Sequence, residues 1–240
     1  MPWKQVAWAW RMGRRQRSSA WGALLDRHDL LLAALSLQQT GGVRVVVFEH
    51  LHAPEGLVHL SEQDDWLAQG LQGLRGRWPA TAKTLALALG EERCRQGVLE
   101  GVPRRDPQRL LGEVRLEAAA VWGVGPDAVG FDFRTEDPGG EAGLQVHWAA
   151  GLLEPLQDWQ RHVRNAGWRL PLVEPEMQAA LRAATCLSED TLRHWAVSPQ
   201  DWQFSLAPQR PGAELPWPRL QASPLWRPLV ACGAALGALS

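Results

Sequence analysis

Between Asp106 and Leu187 the spacing of apolar residues switches repeatedly between the period of a helix and that of a strand. A chain that alternates in this way must build mixed α/β structure. Asp106 suits an N-cap and Pro107 the first helical position, where a missing N–H leaves nothing unpaired. Leu110, Leu111, Val114, Leu116, Ala118 and Val121 follow at three-and-four spacing, and Gly123, Gly125 and Pro126 end the helix. Val129, Phe131 and Phe133 alternate with Gly130, Asp132 and Arg134, the period of a strand with one wet face. Asp137-Pro138-Gly139-Gly140 is a turn, and Leu144 to Trp148 is the return strand. The next helix runs through Leu153, Leu156, Trp159, Val163 and Ala166, closed by Gly167 as C′ residue with Arg161 and Arg164 near the negative end of its dipole. Trp168 to Val173 reads as a short strand. Glu174-Pro175-Glu176 then opens a helix through Met177, Ala180, Leu181 and Ala184, with Pro175 just inside its start and the acids at its positive end.

Upstream, Trp21 to Leu25 and Leu30 to Leu35 flank the turn-forming quartet Asp26-Arg27-His28-Asp29. Gln38 to Gly42 is a second turn, and Val43, Val45, Val47 and Glu49 begin a β-branched strand, so three meandering strands are expected. Ser61, three residues before Asp64 and followed by further acids, starts a helix whose stripe is Trp66, Leu67, Leu71, Leu74 and Trp78. Thr84 to Leu89 and Arg93 to Leu99 are strands before a loop at Pro103. Downstream of Leu187 the chain is rich in Pro and Trp, with a short strand or an irregular loop expected around Trp202 to Leu206. Leu229 to Leu239 is apolar but only about half of the roughly 20 residues that span a bilayer, which makes it a buried helix or strand.

A formal charge of −1 gives no reason to expect a polyanionic partner for the whole chain. Cys94, Cys186 and Cys232 are too few and too scattered for a disulfide framework or a C-x-x-C ligand pair, and read as small buried apolar residues in a reducing compartment. Lys4, Arg11, Arg14, Arg15 and Arg17 are interleaved with Trp3, Trp8 and Trp10. No long apolar run follows before Asp26, so this is read as a solvated basic tail, not a cleaved signal; anionic lipid headgroups and phosphates are its alternative contacts. His50 and His52 share a strand face, and His59 is near enough for a three-histidine site. Partly solvated histidines at a strand end are the preferred reading, and no metal is assigned. Asp132, Glu136 and Asp137 are either paired carboxylates or a strand's wet face and its turn. The sequence holds no G-x-S-x-G elbow, phosphate-binding G-x-x-x-x-G-K-[ST] loop or H-E-x-x-H word.

Four words, in order and spacing, resemble one family: Arg115-Leu116-Glu117-Ala118, Pro126 ahead of Phe131-Asp132-Phe133, Asn165-Ala166-Gly167-Trp168, and Val173-Glu174-Pro175 before an Ala/Arg helix. The family is the PilM/HofM type of type IV pilus assembly protein, an actin-like fold related to the division protein FtsA. Leu229 to Gly237 also resembles that family's final segment, with Ala or Gly where its last Arg stands. The resemblance implies an α/β (α+β) chain with an actin-like, ribonuclease H-like first lobe over residues 20–90 and 167–187. It places an inserted small βαββα subdomain over 91–166, leaves 1–19 as the basic tail, and makes 188–240 a reduced second-lobe remnant whose end returns to the core.

Actin-like nucleotide sites carry two glycine-rich hairpins. Where the resemblance puts them, this chain has Leu25-Asp26-Arg27-His28-Asp29 and Leu192 to Val197, without glycines that let backbone approach an anion. The expectation is therefore a non-enzymatic scaffold with no cofactor. It would be cytoplasmic and peripheral to the inner membrane, binding the cytoplasmic tail of a PilN-type inner-membrane protein, with Val129, Phe131 and Phe133 as the implied contact residues. Competence and twitching motility are the linked roles, and self-association is left open. The alternatives are a GspL-like component of a type II secretion platform, whose relatives continue into a membrane-spanning helix, and an actin-like ATPase.

Overall fold

The computed structural model describes residues 18–25, 29–52, 63–78, 83–103, 107–137, 143–188, 198–206 and 217–239. The basic tail, the Asp26 to His28 turn, His59, the Ser61 helix start, the Asp106 cap, the Pro138 to Gly140 turn and Leu192 to Val197 lie outside them.

Strands β1 (Ser19–Leu25), β2 (Asp29–Leu37) and β3 (Gly42–His52) form the expected antiparallel meander. Helix α1 (Gln63–Arg77) leads to β4 (Thr84–Leu89), which lies parallel to β1. The chain then leaves this sheet for β5 (Arg95–Val102), α2 (Pro107–Trp122), β6 (Val129–Glu136), β7 (Leu144–Leu152) and α3 (Leu153–Asn165). It returns as β8 (Arg169–Pro175), parallel to β4, followed by α4 (Glu176–Cys186), β9 (Gln203–Ser205), α5 (Trp217–Ala222) and α6 (Trp226–Leu239). The large sheet has six strands in the order β8-β4-β1-β2-β3-β9, and the small one has three in the order β5-β7-β6.

Alternation along the strands sorts the two faces of the large sheet. In β4, Leu85, Leu87 and Leu89 point to one side and Ala86 and Ala88 to the other. The leucine side, with Trp21, Leu30 and Leu32, buries the stripe Leu67, Leu71 and Leu74 of α1 and Trp159 and Val163 of α3. Trp168 closes this layer, its indole donating to the Leu71 carbonyl at 3.1 Å and meeting Trp21 edge-on. The alanine side lets two helices come very close. There α4 presents Ala179, Ala180, Ala183 and Ala184, and α6 lies between α4 and the sheet. Gly22 of β1 faces the α6 backbone at Ala231 and Ala235, and Gly233 of α6 faces the Ala179 carbonyl, with no room at either place for a Cβ. Small residues thus replace the usual spacing of about 10 Å between layers with backbone contact.

Helix α2 packs on one face of the small sheet, burying Leu110, Val114 and Ala118 against Val102, Val129, Val146, Trp148 and Ala150. Both α2 and α3 end in a glycine with positive φ, Gly123 and Gly167. In each case the C′ N–H bonds back to C2 and the next N–H to C3, as the sequence predicted for Gly167. Helix α3, which the sequence reading groups with the 91–166 segment, shares its core with α1 on the large sheet.

One expected helix start is corrected. Pro175 is the N-cap of α4, not its first helical residue, and Glu174 lies within β8. Glu174 is 3% exposed and salt-bridged to Arg182 at 2.5 Å, so it serves a buried ion pair and not the helix dipole.

Candidate partner-binding edge

The strand that the resemblance implicates in partner contact is an edge strand among the described residues: there β6 pairs with β7 alone, without a register break from Val129 to Glu136. Val129, Phe131 and Phe133 oppose Leu152, Ala150 and Trp148 and turn toward α2, where the two phenylalanines are half-buried. The Phe133 N–H donates to the Asp132 side chain at 2.9 Å, which directs it away from β7. In an antiparallel ladder this parity alternates, so the N–H and C=O groups of Val129, Phe131, Phe133 and Thr135 all face the open side. Asp132 occupies one of these donors, a way of blunting an exposed edge.

Helices flank this edge. On one side Arg115 of α2 stacks its guanidinium over the Phe131 ring at 5.6 Å, and Leu116 beside it is 60% exposed. On the other, Leu153 and Leu156 of α3 approach Gly130, leaving no space there for a larger side chain without displacement. An extended segment laid beside β6 would find backbone partners along one line, an apolar and cationic wall from α2, and a leucine wall from α3. The period of two gave the strand, and the family resemblance made its Val129, Phe131 and Phe133 the contact residues; Arg115, Asp132 and the α3 leucines were named in the sequence without being placed at this edge, because their nearness depends on packing across the sheet.

The remaining chemical candidates separate. Asp132 and Glu136 are not paired carboxylates: Asp132 binds the Phe133 N–H, and Glu136 meets Arg134 at 3.3 Å and His147 at 3.4 Å. Cys94, Cys186 and Cys232 are free and buried, as expected. Burial, with Glu174 nearby, pushes the Cys94 thiol up to about 12, and burial raises Cys186 and Cys232 as well, so all three stay protonated and poorly nucleophilic. A cavity of about 300 Å³ lies at the carboxyl ends of β1 and β4, where open α/β sheets commonly take ligands. Leu24, Leu25, Gly90, Glu92, Glu176, Trp226 and Arg227 line it. Among the described residues no helix is long and apolar enough to cross a membrane.

No family model matches the sequence, and no curated protein does. Solved structures match by shape. A chain of the PilM-PilN type IV pilus biogenesis complex superposes with a TM-score of 0.57 over 69% of this chain at 21% identity. The two share a mixed α/β fold. This chain spans 50% of the length of that one. The cytoplasmic domain of EpsL, an inner membrane component of the type II secretion system of Vibrio cholerae, is similar at a TM-score of 0.48 and 13% identity, over 68% of this chain and 59% of that domain.

Proposed function

We propose that this chain is a non-enzymatic scaffold of type IV pilus assembly that holds the cytoplasmic tail of a PilN-type inner-membrane protein as an added strand on β6. The observation that carries the reading is the edge of β6, unpaired among the described residues and flanked by Arg115 and by the α3 leucines, in a fold shared with a chain of the PilM-PilN complex. The antiparallel β1–β3 meander continued by parallel β4 and β8 supports an actin-like first lobe. The separate sheet of β5, β7 and β6 supports an inserted small body within it. The protein would work in the cytoplasm, drawn to the inner membrane by its partner.

In calorimetry, a synthetic PilN-type N-terminal peptide is expected to bind with a Kd in the micromolar range, about −8 kcal/mol, as befits a short segment that orders on binding. Thr135 is exposed with its N–H on the open side, so Thr135→Pro removes one outer donor without breaking the β7 ladder and should weaken binding about tenfold. Asp132→Ala frees the Phe133 N–H and should tighten it. Absence of any heat from the peptide with folded protein would sink the proposal.

The same reading makes the chain a pseudo-ATPase. Glu92 and Glu176 line the cavity at the strand ends with Arg227, and two carboxylates are poor company for a polyphosphate. Magnesium ATP is expected to leave Tm unchanged in a thermal melt; a rise of several degrees would restore the nucleotide-binding reading.

A further inference from the structure

Asp29, His50 and His52 meet at one end of the β2–β3 hairpin. Asp29 stands directly opposite His52 in the ladder and His50 lies two residues away on β3, so all three side chains share one face. Their ligand atoms lie within 4.8 Å of one another, His50 Nε2 is 2.7 Å from Asp29 Oδ2, and the two imidazole centroids are 4.0 Å apart. We propose that these residues form a binding site for a divalent first-row transition ion of the zinc class.

Two imidazole nitrogens and one carboxylate oxygen are a donor set that zinc and its neighbours accept. A tetrahedral ion with bonds of about 2.0–2.2 Å keeps its ligands roughly 3.3–3.5 Å apart. The separations here, from 2.7 Å to at most 4.8 Å, bracket that value. Both ends of the site are held from outside. Arg227 of α6 bonds the other Asp29 oxygen, Oδ1, leaving Oδ2 turned toward His50, as partners behind metal ligands commonly do. Trp66 of α1 donates its indole N–H to the His52 carbonyl at 2.6 Å, fixing the end of β3. Both histidines are exposed, so an ion enters without any opening of the fold, and a fourth position is left to water. The Arg227 charge behind the carboxylate opposes the ion and sets the affinity at a moderate level. The third ligand is Asp29, a residue the sequence assigned to a turn; His59, which spacing suggested, lies outside the described residues.

The test uses the full chain stripped with chelator, titrated with Zn²⁺ by calorimetry and with Co²⁺ by visible absorption. One Zn²⁺ per chain is expected to bind at micromolar strength, and His50→Ala or His52→Ala to weaken it about tenfold or more. In the double variant binding should vanish together with the Co²⁺ ligand-field bands. An unchanged thermal melt of the metal-free double variant would show that folding is intact, and His52→Ala, at an exposed position, serves if it is not. No saturation up to about 1 mM Zn²⁺, or tight binding that survives in the double variant, would overturn the proposal.

Discussion

Replacing Gly233 by alanine is expected to lower the unfolding free energy by about 3 kcal/mol or more, the upper end of overpacking costs, because the added methyl would lie on backbone. A Cβ at Gly233 would overlap the Ala179 carbonyl, and one at Gly22 would overlap Ala231 and Ala235, so α4, α6 and β1 would have to separate together. That separation would open the layer that buries Leu229 to Leu236 and the alanines of α4. Gly112 provides the contrast: it lies on the exposed side of α2 with nothing near its Cβ position. Gly112→Ala should therefore stabilise by about 0.5–1 kcal/mol, the ordinary gain from removing a helical glycine. Urea denaturation of the two variants measures both effects. Equal midpoints for Gly233→Ala and the parent chain would mean that α6 does not sit at backbone contact.

Arg182→Met is expected to cost about 3–5 kcal/mol at neutral pH, since it strands a buried carboxylate. Arg182 forms two hydrogen bonds with Glu174, at 2.5 and 2.6 Å, and a third to the Gly233 carbonyl at 2.9 Å, so one guanidinium ties β8, α4 and α6 together. Burial raises the Glu174 carboxyl above its ordinary value and Arg182 works in the opposite direction. Without Arg182 the folded-state value rises further, and the native state then takes up a proton that the unfolded chain releases. A raised acid favours the native state below the ordinary glutamate value of 4.5, and that advantage is lost as pH climbs through the folded-state value. The deficit of Arg182→Met against the parent should therefore shrink on acidification toward that range. A deficit that stays constant across pH would show that Glu174 is not the group left unpaired.

Local signals carried much of this structure. The meander of β1–β3 follows from apolar runs broken by polar turn words and from the β-branched alternation of β3, and the ends of α2 and α3 follow from Gly123 and Gly167, because these features are settled within a few residues. Features decided by distant partners were not visible. Glu174 looks like a helix-start acid until Arg182 and α6 are packed over it. Asp29 looks like a turn residue until β3 brings His50 and His52 beside it and α6 brings Arg227. The apolar run from Leu229 has small residues on every side and no period, so only the close approach of Gly22 and Ala179 makes sense of it. For the candidate site, the period of two put Val129, Phe131 and Phe133 on one strand face and the family resemblance made them contact residues, but edge status depends on β5 choosing β7, a pairing of residues about fifty apart in sequence.

Residue-resolved amide hydrogen exchange, with and without a PilN-type N-terminal peptide, tests the strand-addition account most directly. The outward amides of Phe131, Phe133 and Thr135 should slow markedly on binding, while those of the large sheet keep their rates. Slowing confined to other elements, with the β6 amides unchanged under saturating peptide, would contradict it.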